Sequence, residues 1–116
     1  MEELKKRFEQ LLRAYDRLEY MRKTFLRALQ ESENENFSEE KESPLVIYRE
    51  SLIKRFEFCY DLTWKFLKQL LIEKYSVEAN SPRKVFQECF NQRIITEQEA
   101  ASCINMIDSR NSTTHM

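Results

Sequence analysis

Apolar residues recur every three or four positions over the first thirty residues of the chain. Leu4, Phe8, Leu11, Tyr15 and Leu18 set the rhythm, Phe25 and Leu29 resume it, and Arg22 fills the skipped position. Leu12, Met21 and Leu26 widen the stripe beyond a strict coiled-coil seam. The period predicts an amphipathic helix over 2–31, roughly 44 Å long at about 1.5 Å per residue. That length suits a bundle or a dimer better than a compact orthogonal fold. The pattern then breaks. Residues 32–44, SENENFSEEKESP, hold one apolar residue, Phe37, and close on Ser43-Pro44. Like charges do not pack together without cost, so this stretch reads as a mobile acidic loop, or alternatively as a lure for a basic partner.

Periodicity returns at Leu45 and predicts a second helix to Tyr75. Leu45, Tyr48, Leu52, Phe56, Cys59, Trp64, Leu67 and Leu71 trace one track. Ile53, Phe58, Tyr60, Phe66 and Leu70 make the helix apolar on more than one side, as expected of a central helix with neighbours on two sides. Ser81-Pro82 predicts the start of a short third helix over 82–91, with serine as cap and proline at the first helical position. Val85, Phe86, Cys89 and Phe90 are its predicted buried face. Thr96 and Glu99 match a capping box and open a fourth helix over 97–110, with Ala100, Cys103, Ile104 and Ile107 facing the core. Two long helices joined by a loop form an antiparallel hairpin most readily. The predicted fold is a single all-α domain over 1–116, an antiparallel, up-and-down bundle of four helices.

Composition narrows this further. The chain has 116 residues, no glycine and two prolines. Without glycine there is no P-loop, no GxGxxG fingerprint and no GxSxG elbow, and glycine-turned β-hairpins are disfavoured. Charged residues make up 34% and hydrophobic residues 41%, enough for both a core and a solvated surface. No apolar run approaches the ~18 residues of a membrane span, and the charged N-terminus is unlike a signal peptide. These features predict a soluble, cytoplasmic protein with no membrane partner. The net charge of −1 conceals an asymmetry, because Glu31 to Ser43 carries six glutamates against Lys41 and leaves the remainder mildly basic. Cys59, Cys89 and Cys103 form no CxxC and are odd in number, so they read as small buried hydrophobes in a reducing compartment. With one histidine, a Cys/His zinc site is not expected, and no metal or cofactor is implied.

Two segments carry candidate chemistry. In Arg55-Phe-Glu-Phe-Cys-Tyr-Asp-Leu-Thr-Trp-Lys65, charged residues interrupt an apolar run; the plain reading is a solvated helix edge with Asp61–Lys65 pairing, and Trp64 in the core rather than stacked on a base. The second is the end of the chain, Asp108-Ser-Arg-Asn-Ser-Thr-Thr-His115-Met116. His115 titrates near neutrality and could take a proton from a ribose 2′-hydroxyl or return one to a leaving oxygen. Arg110 could hold the phosphate and stabilise its developing charge. Spacing alone equally fits a polar tail. On a continuous helix Arg110 and His115 stand about 140° apart, whereas Asp108, Asn111 and His115 share a face. Either the helix bends within Asn111–Thr114, whose short polar side chains compete for backbone hydrogen bonds, or two chains complete one site.

RFEFCYDLTWKFLK, SPRKVFQECF and DSRNSTTH, in that order, resemble the nucleotidyltransferase substrate-binding proteins of the HEPN superfamily. The likeness covers 1–116 and is most specific over 52–116. It implies a helical bundle, commonly a homodimer, encoded beside a minimal nucleotidyltransferase, often as a toxin–antitoxin pair. It also implies a metal-independent endoribonuclease whose R-x4-6-H motifs meet across the dimer. The transferase silences it, in some cases by adenylylating the tyrosine of R-x4-H-x-Y. Arg110 and His115 match the motif as catalytic residues, and Asp108, Asn111 and Thr114 would orient the site or bind substrate. Met116 occupies the x; the tyrosine and the family's last helix are missing, so the chain reads as a fragment or an abbreviated member. The leading expectation is an RNA-cleaving HEPN subunit. One alternative is a non-catalytic subunit presenting a nucleotide or acceptor to the transferase; another is a helical interaction module with an inert terminal motif.

Overall fold

The computed structural model describes residues 2–31 and 44–114, the side chains of 110–114 excepted. Four helices make up the described chain: α1 (Glu2–Glu31), α2 (Pro44–Tyr75), α3 (Pro82–Asn91) and α4 (Glu97–Thr114). There is no strand among the described residues, and the fold is all-α, consistent with the predicted bundle. The acidic stretch, except Pro44, lies outside the described residues. No described helix is long and apolar enough to cross a membrane.

Two boundaries differ from the sequence expectation. α2 starts one residue early, at Pro44, because a proline at the first helical position gives up an amide hydrogen that has no helical acceptor there. α4 continues to Thr114 instead of ending at 110. Asn111, Ser112, Thr113 and Thr114 are each only tenths of a kcal/mol poorer helix formers than alanine, roughly 0.5–0.7, and no glycine or proline stops a helix already propagating.

The chain divides into two compact units, one of α1 through Phe8 with everything from Asp61 onward, the other of Glu9–Tyr60. The first is built on Leu71, Ala79, Val85 and Cys89, all buried, with Trp64, Leu67, Val77, Ile94 and Ile95 packed around them. Burying side chains such as Leu71 and Val85 stabilises by about 1.5–3 kcal/mol each. Phe8 and Phe66 add a tilted ring contact with centroids 5.5 Å apart. In the second unit Leu11 and Ala14 of α1 are buried, as are Leu45, Val46, Cys59 and Tyr60 of α2.

Along α1 the buried side is rotated from the predicted stripe. Leu4 and Leu11 are buried as expected, but Phe8 and Tyr15 are each 45% exposed, while Ala14 is buried. Arg7, Met21 and Ala28 are half-buried on that same side. A binary reading favours Phe and Tyr over Ala; in the fold the small side chains take the tight positions and the rings remain on the flank. Arg22, the interruption in the series, is exposed and donates to Glu19 through Nε at 3.0 Å.

The capping signals around α3 and α4 hold in detail, and Val85, Phe86 and Cys89 are buried as expected, but Phe90, expected on the same buried face, is 41% exposed. The Ser81 Oγ accepts from the Lys84 amide at 3.3 Å, and Pro82 follows it. Thr96 and Glu99 form a reciprocal capping box: Thr96 N–H donates to Glu99 Oε1 at 2.8 Å, and Glu99 N–H to Thr96 Oγ1 at 3.1 Å. α3 ends in a Schellman turn, with Ile94 N–H donating to the Cys89 carbonyl and Arg93 N–H to that of Phe90, both at 2.9 Å. Arg93 adopts φ 60° there, the position usually given to glycine.

Candidate functional site

α3 and α4 run antiparallel and in register. An open groove of about 370 Å³ lies between them, lined by Gln87, Phe90 and Asn91 of α3 and by Glu97, Ala100, Ala101 and Ile104 of α4. One turn back along α3 from Gln87 is Arg83, and one turn on along α4 from Ile104 is Asp108. Those two meet, with Arg83 Nη2 3.9 Å from Asp108 Oδ1. Both side chains are largely exposed, 51% and 74%.

Of the five residues singled out by sequence, Asp108 is therefore on the open side of α4, facing Arg83. Arg110, Asn111 and Thr114 follow it within the same helix, and their side chains lie outside the described ones. His115 lies outside the described residues altogether. The helix extends through all four positions of the polar run, to Thr114.

The structure brings together two segments that the sequence left separate: Ser81-Pro82-Arg83 and Asp108-Ser109-Arg110. Arg83 stands in the SPRKVFQECF segment that carries the resemblance, but the sequence reading gives it no role of its own, because Ser81-Pro82 is sufficiently explained as a helix start. A signal was present: Arg83 and Lys84 put two cations in the first turn of α3, which has no acidic residue. The positive end of the helix dipole disfavours them.

The Arg55–Lys65 segment is structural in its aromatic part. Trp64 packs against the core, with Lys68 Nζ 6.0 Å from its ring centroid. Arg55 and Glu57 are half-buried, and Arg55 Nε is buried with no hydrogen-bond partner. Burial raises the Cys59 thiol above its ordinary range, and the charge of Arg55 pulls it partly back. None of the three cysteines forms a disulfide; Cys59 and Cys89 are buried and Cys103 is half-buried. Burial pushes the Cys89 thiol up to about 11, with Cys103 and Glu88 adding to the rise, so it is no nucleophile near neutrality. Among the described residues no group of three His, Cys, Asp or Glu side chains could hold a metal ion.

The profile of proteins described as nucleotidyltransferase substrate binding protein like matches residues 6–116, so the chain belongs to that family. The match takes in all of α2 to α4 and the Arg110–His115 segment. A crystal structure of a Thermus thermophilus protein is similar, with a TM-score of 0.63 and 27% identity over 89% of this chain and 75% of that one. No curated protein matches the chain.

Proposed function

We propose that this protein is the HEPN subunit of a two-component system with a minimal nucleotidyltransferase, and that as a homodimer it cuts RNA without a metal. The observation that carries the reading is that the family match extends over the whole R-x4-H motif, whose Arg110 lies in the last turns of α4. His115 takes the proton of a ribose 2′-hydroxyl, whose oxygen attacks the adjacent phosphorus. The bond from phosphorus to the 5′-oxygen breaks, and that oxygen leaves with a proton returned by an imidazolium. Arg110 neutralises the charge gathering on the phosphate. On a continuous helix Arg110 and His115 would stand about 140° apart, so the reading has a second chain complete the site. The exposed apolar side chains Leu12, Tyr15 and Leu26 on α1, and Ile47 and Phe58 on α2, supply surface for that second chain.

The test is RNA cleavage by the purified protein in excess EDTA. His115→Ala and Arg110→Ala are each expected to lower the rate by about two orders of magnitude while the oligomer persists. Full activity in either variant removes the mechanism. A second reading is favoured by the family's own description: a non-catalytic subunit that presents a nucleotide or acceptor to the transferase. Nucleotide binding without RNA cleavage, in wild type and both variants alike, selects it. A protein that binds neither, and still binds its partner when both motif residues are replaced, is an inert helical module.

A further inference from the structure

We propose that α1 pairs antiparallel with α1 of a second copy of this chain, the two-fold axis passing between Glu19 and Arg22. The inference deepens the homodimer of the reading above; it rests on that dimer and not on its chemistry.

The first argument is the pattern. Leu12, Tyr15, Glu19, Arg22, Leu26 and Leu29 are spaced 3-4-3-4-3 along α1, within a band about 100° wide. In either direction from the midpoint between Glu19 and Arg22, the band runs through one charged residue and then two apolar ones. A second copy laid antiparallel over it sets Glu19 against Arg22, Tyr15 against Leu26 and Leu12 against Leu29, and each contact occurs twice. A two-fold interface requires this self-complementarity of a single surface.

The second argument is exposure. Leu12 is 49% exposed, Tyr15 45% and Leu26 44%, and Leu29 is half-buried. Leu11 and Ala14, on the adjoining side of the helix, are buried within the chain's own fold. Phe8, one turn before Leu12, is engaged with Phe66. What remains open is the band around Glu19 and Arg22, and apolar side chains at these intervals are the knobs of a helix–helix seam.

The third argument is charge, which selects the direction. Arg22 donates through Nε to Glu19 at 3.0 Å, and the two side chains are 51% and 49% exposed. An exposed pair three residues apart holds its partners weakly, so both groups can be shared with a second chain. In the antiparallel pair the four charges alternate in sign around the axis. In a parallel pair at equal register Glu19 would face its own copy and Arg22 its own, a like-charge arrangement that is disfavoured.

The experiment is light scattering at micromolar concentration on wild type, Glu19→Arg, Arg22→Glu and an equimolar mixture of the two variants. Each single variant puts four like charges around the axis and is expected to weaken self-association by about a hundredfold. The mixture should recover twice the chain mass, because a chain with two cations there meets a chain with two carboxylates. The double variant Glu19→Arg/Arg22→Glu only reverses the pair and should associate as wild type does. Helical circular dichroism should be the same in all of them. A single variant that associates as tightly as wild type overturns the proposal alone, as does a mixture that stays dissociated or a double variant that does not associate. Loss of helicity in a single variant also overturns it, because the pair would then be a support of the chain's own fold. A monomeric wild type overturns it together with the homodimer.

Discussion

Cys89 shows how far burial alone can change a side chain. Nothing in its sequence neighbourhood distinguishes it from Cys103, yet it is fully buried among Leu71, Ala79 and Val85. Its thiol is raised from 9.0 to about 11, first by burial and then by Cys103 and Glu88. The folded pKa is the higher one, so the unfolded chain loses this proton first as pH rises. Stability from this group is complete below about pH 9 and is lost as pH rises toward 11, on the order of 2 kcal/mol in all. Urea unfolding of wild type and Cys89→Ala across that window is the check. The stability advantage of wild type should shrink with rising pH; a constant difference contradicts the assignment. The same burial explains why sequence spacing read the cysteines as core residues without ranking them.

The helices themselves follow closely from local chemistry, and their ends expose the one unusual economy of this chain. With no glycine available, Ser76 and Arg93 take the left-handed positions after α2 and α3, at φ 56° and 60°. A β-carbon is unfavourable there by about 1 kcal/mol, so Arg93→Gly is expected to raise stability by about 0.5–1 kcal/mol. Thermal or urea unfolding measures it, and no gain, or a loss, means that the Arg93 side chain contributes elsewhere. The caps were legible because each is a short-range pattern: Ser81 with Pro82, and Thr96 with Glu99, meet within three residues. The stripe on α1 was less so. Its period was right, but the face turned toward Ala14 and away from Phe8 and Tyr15, because packing selects by shape as well as by hydrophobicity.

For the whole molecule, the surface left open by Leu12, Tyr15 and Leu26 on α1 is the main basis for expecting assembly. Light scattering should report twice the 14.2 kDa chain mass at micromolar concentration. Leu12→Glu combined with Leu26→Glu should shift the protein to monomer and leave its helical circular dichroism unchanged. A wild-type monomer at that concentration would remove the dimer, and with it a site shared between chains. Loss of helicity in the double variant would instead mark Leu12 and Leu26 as supports of the fold.

The helical class, the helix starts and the position of Arg110 within the last helix were determined by the sequence alone. Each depends on neighbours three to four residues away, and helix formation is governed at that range. The site's chemistry was legible only as residue types: an arginine and a histidine in a polar segment, with the geometry between them open. What the tertiary structure decided is the pairing of α3 with α4. Arg83 and Asp108 are 25 residues apart in the chain, and they come within 3.9 Å because two apolar helix faces pack antiparallel at one particular register. That register depends on how Val85, Phe86 and Cys89 fill space against their neighbours, a long-range fit that periodicity along one strand of sequence does not encode.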